Sequence, residues 1–331
     1  MKRRLLYLLA AALILTSLAG NLAFAADWMW AKGNLHTHTT NSDGDSAPQA
    51  VADWYKDHDY QFLFITDHGT VTDAVPLDKD PNDQYILMPG EELGVTGKGL
   101  PIHANALGIS QAIASLARVA TPGRSVRNLV EYVRDSGAIP MVNHPNWRWS
   151  LSHRELLQIQ GPYLLEIANM GGGCNNDGSL SWLPTEQAWD FLLSEGEQVY
   201  ATATDDMHRL KPGAKGDLSA GKGWVVTRVA KLTPTAVLAA LAKGDFYAST
   251  GIELADYSFD GEEFRISVAS KEDRKYVIRF VGKWGSILQE TVGTIASYKI
   301  AGKPEVNSYI RCKVIASDGA VAWTQAFRIG N

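Results

Sequence analysis

Apolar and polar positions fall into two regimes along this chain. From Gly33 to about Thr250, short apolar runs of β type alternate with longer segments of helical period. The runs are residues 34–36, 62–65, 85–88, 104–107, 138–142, 163–167 and 199–203. Between them, Pro48–Asp57 opens with a proline, which a first helical turn tolerates, and sets Val51, Ala52 and Tyr55 on one stripe. Residues 125–136 form a second helix candidate stopped by Gly137, and Thr185–Ser194 a third, carrying Trp189, Leu192 and Leu193. Repeated strand and helix units predict an α/β domain with a parallel sheet, and seven of them predict a closed or nearly closed barrel. After Gly251 the period becomes two. Residues 264–268, 276–281, 309–314 and 322–327 alternate in and out around turns such as Asp260-Gly261 and Asp318-Gly319. This predicts a small antiparallel β-sandwich of about 80 residues.

The first residues do not belong to either regime. Met1-Lys2-Arg3-Arg4 precede a largely apolar stretch from Leu5 to Leu18, and Ala23-Phe24-Ala25 supplies a small-residue cleavage pattern. That is the charge, length and end of a secretory signal peptide over residues 1–25, which implies export to a periplasm or the exterior. A membrane anchor would need about 20 unbroken apolar residues, so no stable anchor is expected after cleavage. The expected organisation is a signal peptide (1–25), an α/β domain (26–250) that carries the candidate chemistry and a β-sandwich accessory domain (251–331).

Removing the signal takes away three cations and no anions, moving the formal charge from -5 to about -8. Such a surface offers no general attraction to nucleic acid. The two cysteines, Cys174 and Cys312, lie far apart in sequence and in different expected domains, and are read as unpaired thiols.

Candidate chemistry concentrates at the ends of the predicted strands. Of eight histidines, six sit there: His36 and His38 in His-x-His, His68 after Asp67, His103, His144 in Asn143-His144-Pro145, and His208 in Asp206-Met207-His208. Positions i and i+2 of an extended chain point the same way, so both imidazoles of His-x-His reach one ion. In a barrel the strand ends converge on one face. Imidazoles and carboxylates gathered there bind zinc, manganese or iron. His58 and His153 stand outside the pattern and are read as structural. Glu91 and Glu92 both follow Gly90, and an extended chain points them to opposite sides, so the residues alone leave open which one joins the set.

These residues resemble one family. Asn34-Leu35-His36-Thr37-His38 with Ser42-Asp43-Gly44, then Ile65-Thr66-Asp67-His68, Pro89-Gly90-Glu91-Glu92, His103, Asn143-His144-Pro145 and Asp206-Met207-His208, look like the polymerase and histidinol phosphatase (PHP) superfamily over residues 33–250. Phe246-Tyr247-Ala248-Ser249-Thr250-Gly251 followed by a β domain looks like a branch that includes a carbaryl hydrolase. The resemblance implies a distorted (β/α)7 barrel of PHP type and two or three divalent metal ions. His36, His38, a glutamate and Asp206 would hold the first ion. The same glutamate, His103 and His144 would hold a second, and Asp43, His68 and His208 a third. Many members carry a histidine where Asp43 stands, which weakens the third site. Family spacing favours Glu92 over Glu91. Asp67 is expected to support the loop rather than to ligate.

Grouped divalent ions activate a water and neutralise charge on substrate oxygens, so no protein nucleophile is required. Consistent with this, no Gly-x-Ser-x-Gly motif occurs, and Cys174 lies in a Gly171-Gly172-Gly173 loop that reads equally as a flexible turn or an anion nest. The leading expectation is a phosphoesterase acting on a small molecule, with Arg148 and Arg209 as candidate phosphate contacts and Trp147 or Trp149 as candidate stacking partners. Glu166 and Asn169 end another strand and are candidates to line the pocket. The alternatives are hydrolysis of a carboxyl ester or carbamate, an amidohydrolase-type barrel, which lacks its usual metal-bridging lysine here, and a non-catalytic metal-binding scaffold.

Overall fold

The computed structural model describes residues 28–74, 77, 84–113, 121–210, 220–303 and 306–329, so the export signal expected over residues 1–25 lies outside the described residues. No helix among the described residues is long and apolar enough to cross a membrane. The first nine strands are β1 (Met29–Asn34), β2 (Phe62–Ile65), β3 (Ile86–Gly97), β4 (Leu100–Leu107), β5 (Ile139–Val142), β6 (Tyr163–Asn169), β7 (Val199–Thr204), β8 (Trp224–Val229) and β9 (Phe246–Ser249). The helices are α1 (Pro48–Asp57), α2 (Pro122–Asp135), the single turn α3 (His153–Leu156), α4 (Thr185–Ser194) and α5 (Pro234–Lys243).

Helix α1 buries Val51, Ala52 and Tyr55, the stripe its period predicts. Helix α2 begins three residues earlier than its apolar pattern, because the Thr121 side chain accepts from the Arg124 N–H and Pro122 fits the first turn. Helix α5 lacks a clear apolar stripe in its sequence, and it is bounded by Thr233, which caps its start, and Gly244, which at φ 77° ends it in the left-handed region.

The sheet differs from a ring of seven parallel strands. Strands β1-β2-β3 and β5-β6-β7 pair in parallel, whereas β4 is antiparallel to both β3 and β5, and β8 and β9 also join antiparallel. The reason is local. Only Lys98 and Gly99, at φ 50° and 81°, connect β3 to β4, and a two-residue turn with both φ positive makes a hairpin. Strand β7 stands at one end of the hydrogen-bonded order among the described residues. On its free side the Gln325 side chain accepts from the Ala201 N–H and donates to the Ala201 carbonyl, both at 2.8 Å, imitating one residue of a partner strand.

Beyond β9 run β10 (Leu254–Phe259), β11 (Glu263–Val268), β12 (Tyr276–Gly282), β13 (Ser286–Val292), β14 (Ile295–Lys299), β15 (Tyr309–Ala316), β16 (Val321–Thr324) and the short β17 (Phe327–Arg328). Strands β10, β11 and β14 form a separate three-stranded sheet. The others extend the main sheet, since β16 pairs antiparallel with β9. The run expected over 322–327 is therefore broken in two, and the break is where Gln325 turns toward β7. Phe264 of the small sheet meets Phe280 of the large one edge to face, with centroids 5.5 Å apart, inside a shared apolar core.

The seam between helix α4 and strand β15 is ionic. Arg311, only 1 % exposed, grips Asp190 with two hydrogen bonds of 2.7 Å and reaches Glu186 at 2.8 Å. Tyr309 adds a hydroxyl to Asp190, and Lys313 pairs with Glu186. Desolvating these charges is costly, and removing one partner strands the other. Arg311→Met should therefore lower the unfolding free energy by about 3–5 kcal/mol, while the double variant Arg311→Met with Asp190→Leu should recover part of it. Chemical denaturation of the three proteins measures this, and a double variant as unstable as the sum of the singles would contradict it.

Candidate metal centre

The strand expected to contain His36 ends at Asn34, so His36 and His38 lie just past it. Their backbone is nevertheless fixed. Thr37 forms a parallel bridge with Met207, the His38 N–H donates to the Met207 carbonyl at 2.9 Å, and Thr37 Oγ1 donates to the Phe64 carbonyl. Both imidazoles then face inward, with their Nε2 atoms 3.1 Å apart. Two ring nitrogens this close do not repel only if a proton or a cation lies between them.

Glu92 is the centre of the arrangement and is 2 % exposed. Its Oε2 lies 3.1 Å from the Nε2 atoms of both His36 and His38 and 3.4 Å from that of His68. Its Oε1 lies 2.9 Å from His103 Nδ1 and 3.4 Å from His144 Nε2, and accepts from Asn143 Nδ2 at 2.9 Å. The neighbouring Glu91 points elsewhere and accepts from the Ile113 N–H, so the pleat separates the two glutamates as an extended chain requires. Rather than following the strand, Glu92 lies within β3, and His103 lies within β4 opposite Gly94, because the hairpin carries both past the parallel strand ends.

Asp206 completes the inner group. Its Oδ1 is buried without a hydrogen-bond partner, yet lies 3.3 Å from His36 Nε2, 3.2 Å from His38 Nε2 and 3.4 Å from His208 Nδ1. An orphaned carboxylate oxygen facing ring nitrogens is the donor set a divalent cation takes. Three overlapping groups have this geometry: His36, His38, Glu92 and Asp206; His68, Glu92 and His103; and His38, Asp43, His68 and His208. The residues fit metal ions. His144 meets the middle group through Glu92 rather than as part of the tight cluster. Asp43 stands at the rim, half exposed, with Oδ2 3.3 Å from His208 Nε2 and 3.7 Å from His68 Nε2.

Several buried groups aim these side chains. Glu166, fully buried, takes His36 Nδ1 at 2.7 Å, the Thr204 hydroxyl at 2.6 Å, the His144 N–H at 2.6 Å and Asn169 Nδ2 at 2.7 Å. It fixes the ring so that Nε2 faces the ion position. Asn169 also donates to Asp206 Oδ2 at 3.1 Å. Asp206 and His144 both adopt φ values in the left-handed region, 48° and 26°, a strain of about 1–3 kcal/mol each that these hydrogen bonds hold in place. Asp67 anchors the first loop by accepting from the Thr39 N–H and from the hydroxyls of Thr39, Ser42 and Thr72.

The surrounding cleft is about 630 Å³ and is lined also by Trp147, Met170, Gly171, Gly172, Cys174, Arg209 and Lys222. Of the two arginines expected at a phosphate, Arg209 lines it. Arg148 does not: it is exposed and its guanidinium lies 4.8 Å over the Trp147 ring. Trp149 packs near Trp182 instead. Lys222 was not anticipated, since nothing in its sequence context marks it. His58 stacks on Trp54 and His153 packs against Phe191, both away from the centre. Cys174 and Cys312 are buried free thiols. Burial, then the carboxylates Asp206, Glu166 and Glu92, push the Cys174 thiol up, which leaves it protonated and unsuited to attack.

Charge in the centre is balanced internally. Burial opposes ionisation of His36, but Asp206, Glu92 and Glu166 outweigh it and raise its pKa well above the usual value. Burial likewise opposes ionisation of His38, and the adjacent carboxylates of Asp206 and Glu92 lift it to about 9. The hydrogen bond from His208 is the main force holding the Asp43 carboxyl below the usual range.

No family model matches the chain, and no curated protein matches its sequence. Among solved structures, a two-domain protein from Bacteroides vulgatus containing a predicted PHP-like metal-dependent phosphoesterase is similar over 91 % of this chain and 96 % of its own, at 14 % identity and a TM-score of 0.50. An amidohydrolase from Chromobacterium violaceum, with sulfate bound and no metal, aligns over 57 % of this chain and 92 % of its own, at 17 % identity and a TM-score of 0.40. The first likeness is one of fold and extends across both parts of the chain.

Two outcomes follow from this geometry. Glu166→Gln, which touches no ion position, should lower metal affinity by about 10–100-fold, as read by metal titration. With the cations chelated, His38 holds a pKa raised from 6.5 to about 9, so its contribution to stability is fully present below pH 6.5 and is lost as pH rises toward 9. Bound metal competes with that proton, so metal-loaded protein should instead gain stability over the same range. Melting temperatures across pH 6–9 with chelator and with manganese check the opposite slopes; parallel slopes would contradict the assignment.

Proposed function

We propose that this protein is a metal-dependent hydrolase of small-molecule phosphate esters, on the observation that buried Glu92 and Asp206 gather the inner imidazoles while Asp206 Oδ1 is left with no hydrogen-bond partner. His36, His38, Glu92 and Asp206 would hold one divalent ion, Glu92 with His103, His144 or His68 another, and Asp43, His68 and His208 a third at the rim. When bound, such ions supply a water of lowered pKa and neutralise charge on substrate oxygens.

The chain's own contribution is orientation and exclusion. Glu166 and Asn169 keep His36, His144 and Asp206 aimed inward, so no reorganisation is needed when a substrate enters. Trp147 supplies a flat wall beside His103 and His144, with ring centroids 5.4 and 5.1 Å away. The protonated, hydrogen-bonded Cys174 leaves attack to water. A carboxyl ester or carbamate is the second reading. It is favoured by the shortage of arginine and lysine around the cleft, where Arg209 and Lys222 are the two among the described residues.

Turnover of a panel of phosphomonoesters, phosphodiesters, carboxyl esters and carbamates by manganese- and zinc-loaded protein decides between them. The expected result is hydrolysis of a phosphate ester that chelation abolishes and that His36→Ala reduces by at least about 100-fold in kcat/KM, together with bound metal. Turnover confined to carbonyl substrates would replace the phosphate assignment, and metal stoichiometry near zero would end both.

A further inference from the structure

Lys222 sits in a segment whose backbone is fixed on several sides. Its neighbours are glycines for steric reasons. A Cβ on Gly221, itself at φ 78°, would lie 3.0 Å from the Trp54 ring. A Cβ on Gly223 would lie 2.7 Å from the Thr204 carbonyl oxygen and 2.9 Å from Met170. The three consecutive N–H groups of Gly221, Lys222 and Gly223 all donate to the Asp205 carboxylate, at 2.8, 2.7 and 2.8 Å. Asp205 is fully buried and also accepts from the Tyr55 hydroxyl at 2.7 Å, while the Gly223 carbonyl accepts from Asn34 Nδ2 at 2.9 Å. The backbone beneath Lys222 is thus tied to α1, to the start of the His-x-His segment and to the residue before Asp206.

Lys222 so placed lines the cleft around Glu92, Asp206 and His208. Arg209, the other such cation there, is solvent-exposed, whereas Lys222 is half-buried. The chain is negatively charged overall, and the cleft itself carries Asp43, Glu92 and Asp206. An anionic substrate approaching such a surface needs a fixed positive group at the entrance as well as the charge of bound ions. A lysine ammonium serves as a point charge for phosphate without the planar geometry an arginine demands.

We propose that Lys222 is the cationic anchor for the anionic group of the substrate, and that Asp205 is a positioning residue that holds Lys222 at the cleft. The proposal deepens the phosphoester reading and rests on it for the identity of the anion. A charged hydrogen bond of this kind corresponds to about 10–100-fold in affinity.

The test uses full-length, metal-loaded protein. Lys222→Ala should raise KM for a phosphomonoester about 10–100-fold, with kcat and bound metal much less affected, and Lys222→Arg should restore most of the affinity. It should also flatten the fall of kcat/KM with ionic strength. Calorimetric titration with inorganic phosphate should show the same loss. Asp205→Asn should move KM in the same direction without removing the ammonium. Unchanged KM and unchanged phosphate affinity in Lys222→Ala would overturn the proposal while leaving the phosphoesterase reading intact. Phosphate binding that depends on Lys222, in a protein that turns over no phosphate ester, would uphold the anchor and overturn that reading instead.

Discussion

One buried carboxylate organises this molecule. Glu92 lies within 3.4 Å of ring nitrogens from five histidines, contributed by the β1 end, the β2 end, β4 and the β5 end. A charge at that depth is tolerated only with full compensation, so the elements carrying those histidines are constrained to meet around it. The β3–β4 hairpin sets the height of the carboxylate. Its register places Glu92 opposite Asn105 and His103 opposite Gly94, and a slip of one residue would turn both side chains to the wrong face. The same register sends Glu91 away, to the Ile113 N–H.

What was legible in the sequence is what periodicity and local spacing encode. The stripe of α1, the extent of α4, the strands that feed the centre and the inward pairing of His36 with His38 all follow from the order of residues. So did the separation of Glu91 from Glu92, although choosing between them needed a resemblance or a structure. The reversed strand β4 was not visible, because Lys98-Gly99 reads as a turn only once both flanking runs are known to extend to it. Helix α5 and strands β8 and β9 were hidden by short, nearly uniformly apolar segments that carry no clear period.

The supporting carboxylates were harder to see for a different reason. Glu166 sits in an apolar strand and Asp205 beside a ligand candidate, and each takes its meaning from partners 130 and 150 residues away, His36 and Tyr55. Long-range hydrogen bonds leave no local trace. Arg311 is the same case on the other side of the molecule: a charged residue in an alternating strand reads as solvent-facing, whereas Asp190 and Glu186 keep it in the interior. Arg148 erred the opposite way, since its nearness in sequence to His144 did not survive the one-turn helical segment at Trp147–Trp149, where its φ of 51° turns it outward over Trp147.

The single glutamine on the free side of β7 has a bearing on how the chain assembles. The histidines and carboxylates gathered at the centre all lie before residue 209, yet the strand nearest Asp206 has its outer backbone matched by Gln325, and the charged face of α4 has its counterpart in Arg311. Both follow the centre by more than 100 residues along the chain. A nascent chain emerging from the ribosome would hold six histidines and two key carboxylates with one edge open and one ionic face unanswered until residues 309–325 had followed. Maturation of the centre is in that sense timed by residues 309–325, and a version shortened after β9 would keep an adhesive strand edge, prone to joining its own copies.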